Sequence, residues 1–391
     1  MLQKPAPLPR VLWPLLFGNF VIGTGVMVVP GTLSEISGSL NVSVATAGQL
    51  ITAAAVLMCL GAPLFAALVA GWDRRRLLAL SMLWYAALHL LCALMPSFGT
   101  LLPMRVLTMA APAIFSPQAA ACVGLLVPPE QRGRAITFVF LGWSVASVVG
   151  MPLGALVGGL VGWRVAFVLV AVLALVSAVW VWRAMPNGIK PPALSMAAWK
   201  EIAGSRPLLL CIVVTVLYSS GQFVLFSYMA PYYKARLDVS PLQLSLLFAW
   251  FGAFGFLGNV VMSRHIDKLG AARSVFIAVA CMALSMLLWP LGTNLWLAAV
   301  VVLPWALGCF ASNSAQQARL VGLAPGLAAA SVALNTSAMY AGQGLGAAGG
   351  GALIAANRLD WLSWVGLAGL LAALAVSAWA TRGASEKSSP A

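Results

Sequence analysis

Residues 342–351 read GQGLGAAGGG, and two incompatible spacings overlap there. Gly344, Gly346 and Gly349 fit G-x-G-x-x-G, a loop that can cradle a dinucleotide pyrophosphate. Gly342, Gly346 and Gly350 recur every fourth residue, on one face of a helix. The nucleotide reading needs a strand before the loop, a helix after it and an acid about 20 residues on. ASVALNTSAMYA precedes the stretch without a strand pattern, and the next acid, Asp360, comes too early. The helical reading needs surroundings in which small residues bring helices together, and lipid is such a place.

Composition supplies those surroundings. The chain has 391 residues, 62% hydrophobic and only 8% charged, against about 25% charged in a soluble domain. With a mean hydropathy of +0.98, it reads as a polytopic membrane protein. The net charge of +14 falls in short basic clusters between apolar runs, which suits membrane-flanking loops and argues against a nucleic-acid partner. Cys59, Cys92, Cys122, Cys211, Cys281 and Cys309 all lie in apolar segments and form no C-x-x-C. They read as inert thiols, with no disulfide frame, no metal site and no cofactor. MLQKPAPLPR leads into a long apolar run without a small-residue cleavage site, so that run reads as a retained first helix.

A helix needs about 20 apolar residues to cross the hydrocarbon core. Runs between charge, Gly and Pro punctuation predict twelve spans, near 11–33, 46–70, 77–96, 101–126, 136–160, 165–183, 208–233, 241–263, 272–291, 295–318, 328–355 and 361–380. With both termini inside, seventeen Lys and Arg fall in cytoplasmic segments, four in outer loops, and Arg105 inside a span. That bias sets the orientation as N-in and C-in.

The two halves repeat. LNVS at 40–43 matches LDVS at 237–240, VGLLVP at 123–128 matches VGLAP at 321–325, and Trp163 matches Trp361, at offsets of 197 or 198. The loop RRR at 74–76 occupies the place of DKLG at 267–270. The expected domains are 1–183 and 208–391, two parallel six-helix bundles. A cytoplasmic linker at 184–207, containing AAWKEIAG, could include a short interfacial helix.

The chain resembles the major facilitator superfamily, and within it the twelve-helix drug–proton antiporter and sugar-efflux branch. LVAGWDRRRLL after span two is similar to that family's basic signature G-x-L-x-D-R-x-G-R-R, with Ala70 at its usual Asp and Asp73 at its second Gly. SRHIDKLGAAR after span eight keeps Asp267, Lys268 and Gly270. LLPMRVLTMAAP places Arg105 at the family's membrane-buried Arg. GWSVASVVGMPLGALVGG places Gly150, Pro152 and Gly154 at its Gly-Pro motif. The resemblance implies the facilitator fold and alternating access around a central site.

Residue by residue, the expectations are these. Gly150, Gly154, Gly158 and Gly162 in span five, like Gly342, Gly346 and Gly350 in span eleven, recur every four residues. They let backbones approach closely along the seam between halves. Arg105 either faces the interior or snorkels outward, since a cation at a helix centre costs roughly 2.5–3.5 kcal/mol. The resemblance favours the interior, in contact with substrate or coupled to protonation. All eight acids (Glu35, Asp73, Glu130, Glu201, Asp238, Asp267, Asp360, Glu386) fall outside the predicted spans. The position where this branch often carries a span-one carboxylate is Val26. Proton-coupling candidates are therefore His89, Arg105, Glu35 and Asp238, with a hydrogen-bonded core role the plainer reading of His89.

Cavity candidates at mid-depth are Asn19, Thr24, Arg105, Phe115, Gln118, Trp143, Ser144, Tyr218, Gln222, Trp250, Asn313, Gln316, Asn335, Tyr340 and Gln343. Asp73, Arg74, Arg75 and Arg76, with Asp267, Lys268 and Arg273, are candidates for a cytoplasmic ion-pair gate; positive-inside charge alone also explains the arginines. The functional expectation is a monomeric transporter of a bacterial inner membrane, exporting a small organic solute in exchange for protons. A facilitator or metabolite permease of the same fold is the alternative. A membrane enzyme is disfavoured, because His89 has no acid within four residues, and His265 near Asp267 lies in a basic loop.

Overall fold

A chain this apolar must satisfy its own backbone N–H and C=O groups, and helix does so segment by segment. The computed structural model describes residues 9–69, 71–128, 131–190, 201–202 and 204–385, and no strand occurs among them. The long helical segments are α1 Leu12–Ser39, α2 Val44–Leu68, α3 Arg74–Leu94, α4 Phe98–Val123, α5 Arg134–Leu160 and α6 Trp163–Ala184. After the linker come α7 Arg206–Leu237, α8 Pro241–Leu269, α9 Ala271–Leu291, α10 Leu295–Leu323, α11 Ala328–Ala355 and α12 Trp361–Ser385. Eleven of them, all but α11, are long and apolar enough to cross a membrane. Ala70, Glu130, Lys200, Glu386 and most of AAWKEIAG lie outside the described residues.

Proline sets the irregularities. A Pro lacks the N–H that would bond the carbonyl four residues back, and its ring crowds that carbonyl. α4 breaks after Thr108, four residues before Pro112, and α7 breaks at Ser227, four before Pro231. α1 carries Pro30 inside and a non-helical Thr32, yet continues to Ser39. Glu35 therefore sits in the last turns of α1 and not in a loop. Asp267 and Lys268 likewise lie within α8, which runs to Leu269.

The repeat is built from caps. Asn41 and Asp238 both adopt left-handed backbone, at φ 52° and 49°, a conformation that Asn and Asp tolerate better than most residues. Ser43 then accepts from the Thr46 N–H at 3.0 Å, and Ser240 from the Gln243 N–H at 3.2 Å. Ser97 and Asn294 cap α4 and α10, and Asp73 and Gly270 stand at the caps of α3 and α9. The sequence match LNVS/LDVS is thus a turn followed by a cap, made twice. This register aligns Arg74 with Ala271, so the earlier pairing of RRR with DKLG shifts by several residues.

The same duplication governs helix packing. A Cβ on Gly150 would meet Thr24, and one on Gly346 would meet the Ser220 backbone; Gly154 faces Val28, and Gly350 faces Val224. The fourfold glycine series of α5 and α11 therefore lies against α1 and α7, inside their own halves. Other faces of the same two helices line the seam between halves: Gly159 of α5 meets Pro241 of α8, and Gly344 of α11 meets Ala55 of α2. Gly162 leaves the series altogether: at φ 112° it caps α6, with open space around it. The contacts between halves use other positions. Ser245 of α8 donates to the Pro152 carbonyl of α5 at 2.9 Å, and Gly344 and Gly351 of α11 face α2 at Ala55 and Ala45.

Two outcomes follow. Gly346→Val places a branched side chain against the Val224 N, 2.9 Å from an added Cβ, whereas Gly349→Val meets nothing within 4 Å. Thermal melting in detergent should show Gly346→Val less stable by about 1–3 kcal/mol and Gly349→Val near wild type; equal losses would contradict the packing. Asp73 accepts from the N–H groups of Arg76 at 3.2 Å and Gly188 at 2.5 Å, tying α3 to the end of α6. Burial pushes its carboxyl up, but the N–H groups of Arg76, Gly188 and Arg75 and the Arg76 charge outweigh that, leaving it below the ordinary 3.8. A carboxyl depressed by folding stabilises above its unfolded value and loses that contribution as pH falls through the folded one. Asp73→Asn should melt lower than wild type at neutral pH, and the gap should close below pH 3.8; a gap constant with pH would contradict the cap.

Candidate functional site

Pro30 also prepares the site. It cannot donate to the Val26 carbonyl, so that oxygen is available within α1. Arg105 of α4 takes it: Nη2 donates to Val26 O at 3.3 Å and Nη1 to Gly25 O at 3.0 Å. The side chain is 2% exposed, its guanidinium carbon stands 6.0 Å from the Phe167 ring centre, and Nε has no partner. Arg105 faces inward and does not snorkel.

Around it lies a pocket lined by Val26 of α1, Ile51, Ala54, Ala55 and Met58 of α2, Arg105 and Met109 of α4, and Tyr340 and Gln343 of α11. Both halves contribute. Its free space is about 10 Å³, room for roughly one water.

Of the expected cavity residues, Arg105, Tyr340 and Gln343 line this pocket. Several others bind one another instead. In the first half the Trp143 indole donates to Ser116 at 3.3 Å, Ser116 to Asn19 Oδ1 at 2.6 Å, and Asn19 Nδ2 to Val139 O at 3.2 Å. In the second half Thr215 donates to Asn335 Oδ1 at 2.6 Å, and Asn335 Nδ2 to Asn313 Oδ1 at 3.1 Å. Gln316 donates to Cys211 O, and the Trp305 indole to Gln222 Oε1 at 3.3 Å. Thr24 bonds back to Phe20 O, and Phe115 packs where Gly18 leaves room. Gln118, Ser144 and Tyr218 are buried. Trp250 is not brought to the pocket: it is 41% exposed and donates to Ala299 O of α10.

The coupling candidates separate as well. His89 is fully buried, its Nδ1 2.9 Å from Tyr85 O and its ring against Tyr85 and Phe167; it does not line the pocket. Asp238 is exposed at the left-handed cap of α7. Glu35 pairs with Lys234, joining α1 to α7. Among the described residues this is the ion pair that crosses between halves; the other, Arg236 with Asp360, stays within the second.

The two ends of the molecule differ accordingly. At the Glu35 end one apolar cluster runs from Val28, Leu33 and Ile36 of α1 into Tyr228 of α7 and Phe248 of α8. At the Arg74 end the cores divide: one gathers around Leu78 and Cys122 and is joined from the second half by Tyr340 at the pocket, and the other lies around Leu208, Cys211 and Leu320. The expected ion-pair gate is not assembled there. Asp73 is engaged by backbone N–H groups, and Arg74 donates to Val69 O and Trp72 O. Arg75 donates to Asn187 and covers Trp182. Asp267, Lys268 and Arg273 are exposed, and none forms an ion pair among the described residues.

Sequence reasoning missed the α2 face, although Ile51, Ala54, Ala55 and Met58 recur at helical spacing; in an apolar span that stripe looks like any lipid-facing one. It also missed Lys234, whose partner was placed in a loop.

A family model described as the Major Facilitator Superfamily matches residues 15–347. The chain is 34% identical over 269 residues to a chloramphenicol resistance protein of Streptomyces lividans, covering 67% of this chain and 68% of that one. It is 29% identical over 355 residues to a probable sugar efflux transporter of Helicobacter pylori, covering 90% of each. The fold is similar to a bacterial homolog of the human lysosomal transporter Spinster in an inward-facing, unoccupied conformation, with a TM-score of 0.77 at 19% identity, covering 95% of this chain and 96% of that one. A D-xylose–proton symporter follows at a TM-score of 0.75 and 16% identity, covering 94% and 96%. A multi-pass helical chain with a pocket shared between its repeated halves, and a family match over most of its length, belongs to the Major Facilitator Superfamily: it is a membrane transporter and not an enzyme.

Proposed function

We propose that this transporter exports a small organic solute across a bacterial inner membrane in exchange for protons, as a monomer. The observation that carries the reading is the pocket lined from α1, α2, α4 and α11, shut on the Glu35 side and with divided cores on the Arg74 side. The distribution of Lys and Arg makes the Arg74 end cytoplasmic, with twelve spans and both termini inside. The conformation described is then closed to the outside. Residues 1–183 and 208–391 form the two rocking bundles, and 184–207 joins them.

Export is supported by the printed names of the relatives, one a resistance protein and one a sugar efflux transporter. Proton coupling is assigned to Glu35. Its carboxylate faces the ammonium of Lys234 across the seam on the outer side. Protonation cancels the attraction and frees the outer ends to part; deprotonation after release reseals them. His89, held in the core by Tyr85, takes no part.

In a host lacking its own exporters, expression should raise tolerance to members of a chemical panel that includes chloramphenicol and toxic sugar analogues, and Arg105→Ala should abolish it. In proteoliposomes an imposed pH gradient should accelerate flux of the solute found. Glu35→Gln should still exchange solute but ignore the gradient. Flux by the wild type that is the same with and without a gradient would make it a facilitator; no flux of any panel member would end the export reading.

A further inference from the structure

Among the described residues, Arg105 is a buried cation without a counter-charge. Six acids lie among the described residues, and none lines its pocket: Glu35 is engaged by Lys234, Asp360 by Arg236 and Asp73 by backbone N–H groups, while Asp238 and Asp267 are exposed and Glu201 belongs to the linker. Two backbone carbonyls hold its Nη groups, and the Nε hydrogen has no acceptor. Dipoles can hold a guanidinium in place without cancelling its charge, and burial in a medium of low dielectric makes a missing anion costly. The free donor belongs to the residue that lines the pocket. We propose that the solute supplies the anion: this site takes a small monoanionic amphiphile whose carboxylate or sulfonate docks on Arg105.

The lining chemistry suits that class, which rests on the transport reading above; the one-water space of this conformation must widen for such a ligand to enter. A carboxylate is the planar acceptor that a guanidinium edge recognises best. Tyr340 and Gln343 line the pocket from the opposite half and offer neutral donors to the second oxygen, while Ile51, Met58 and Met109 offer apolar surface to a ring or chain. A ligand held by Arg105 of α4 and by α11 bridges the two bundles: Arg105 neutralises its charge from one half, and Tyr340 and Gln343 hold it from the other. A cationic solute would meet a like charge at the same point and is excluded.

The test uses three probes with one ring system and different heads: 2-naphthoate, 2-naphthalenemethanol and 2-naphthylmethylammonium. Binding to the full-length protein in detergent is followed by thermal shift, and flux is followed in proteoliposomes. The wild type should bind the naphthoate roughly tenfold or more tighter than the alcohol and not bind the ammonium. Arg105→Gln should erase that preference, and Arg105→Lys should keep part of it. Val26→Asp, which places a carboxylate on the pocket wall beside the guanidinium, should weaken the naphthoate more than the alcohol. This variant keeps Arg105, so it answers the question even where Arg105→Gln fails to fold. Titrations run in chloride and in gluconate separate an organic anion from a bound inorganic one. Equal binding of the three heads, a preference that survives both Arg105→Gln and Val26→Asp, or a shift reproduced by chloride alone would overturn the anion site. Flux of the alcohol or the ammonium that is indifferent to Arg105 overturns the anion site and leaves the transport reading standing. Naphthoate bound through Arg105 but never carried preserves the site and ends the reading that the protein exports such anions.

Discussion

The structure depends on how closely helix backbones can approach where no hydrophobic force draws them together. In lipid, association comes from packing and hydrogen bonds, and glycine is the residue that permits backbone contact. Here α5 lies on α1 through Gly150 and Gly154, and α11 lies on α7 through Gly346 and Gly350. The partners on α1 and α7 recur as well: Thr24 and Val28 in one copy, Ser220 and Val224 in the other. Each half is thereby held together by close internal backbone contact. The halves also meet closely: Gly252 of α8 lies on the Ser147 backbone of α5, Gly48 of α2 on Tyr228 of α7, and Gly344 of α11 on Ala55 of α2, with Ser245 on the Pro152 carbonyl and one ion pair beside them.

On that frame sits an electrostatic imbalance. A bilayer-spanning helix avoids charge, and a cation retained in one needs a reason. Pro30 supplies an acceptor by failing to bond Val26, and Gly25 supplies another, so Arg105 is fixed in direction while its charge stays uncancelled. The fixed cation faces a pocket that both halves must complete. The described acids stand toward the ends of the helices or between them, where Lys234 meets Glu35, Arg236 meets Asp360 and backbone N–H groups meet Asp73. Under the function proposed, this division separates the group that meets the solute, Arg105, from the Glu35–Lys234 pair that holds a mouth closed.

Much of this was legible in the sequence. Long apolar runs gave the spans, and LNVS with LDVS marked a turn and cap that recur because the same helix pair is made twice. GQGLGAAGGG was readable as a packed helix face once composition excluded a soluble nucleotide fold. Its partner was not readable, because spacing shows which face is small and not which neighbour arrives there. The apolar run predicts a first span ending near residue 33 and leaves Glu35 in a loop, whereas the helix kinks and goes on to Ser39. Polarity at mid-depth marks Asn19, Asn313 and Asn335 as pocket candidates, yet each is occupied by another side chain. Only coordinates show which polar group is already satisfied. The α2 wall escaped notice for the opposite reason: Ile51 and Met58 are what a lipid-facing span would also contain.

The central claim is that the ends of the two halves open in opposition, with the Glu35–Lys234 pair holding one end shut. Pulsed electron spin resonance tests it directly in a background lacking the six native cysteines. Spin labels at Gly38 and Ala235 report one end, and labels at Gly71 and His265 the other. Neutralising both partners of the pair should lengthen the first distance and shorten the second in the same population of molecules. Distances that stay fixed, or that lengthen together, would contradict the account.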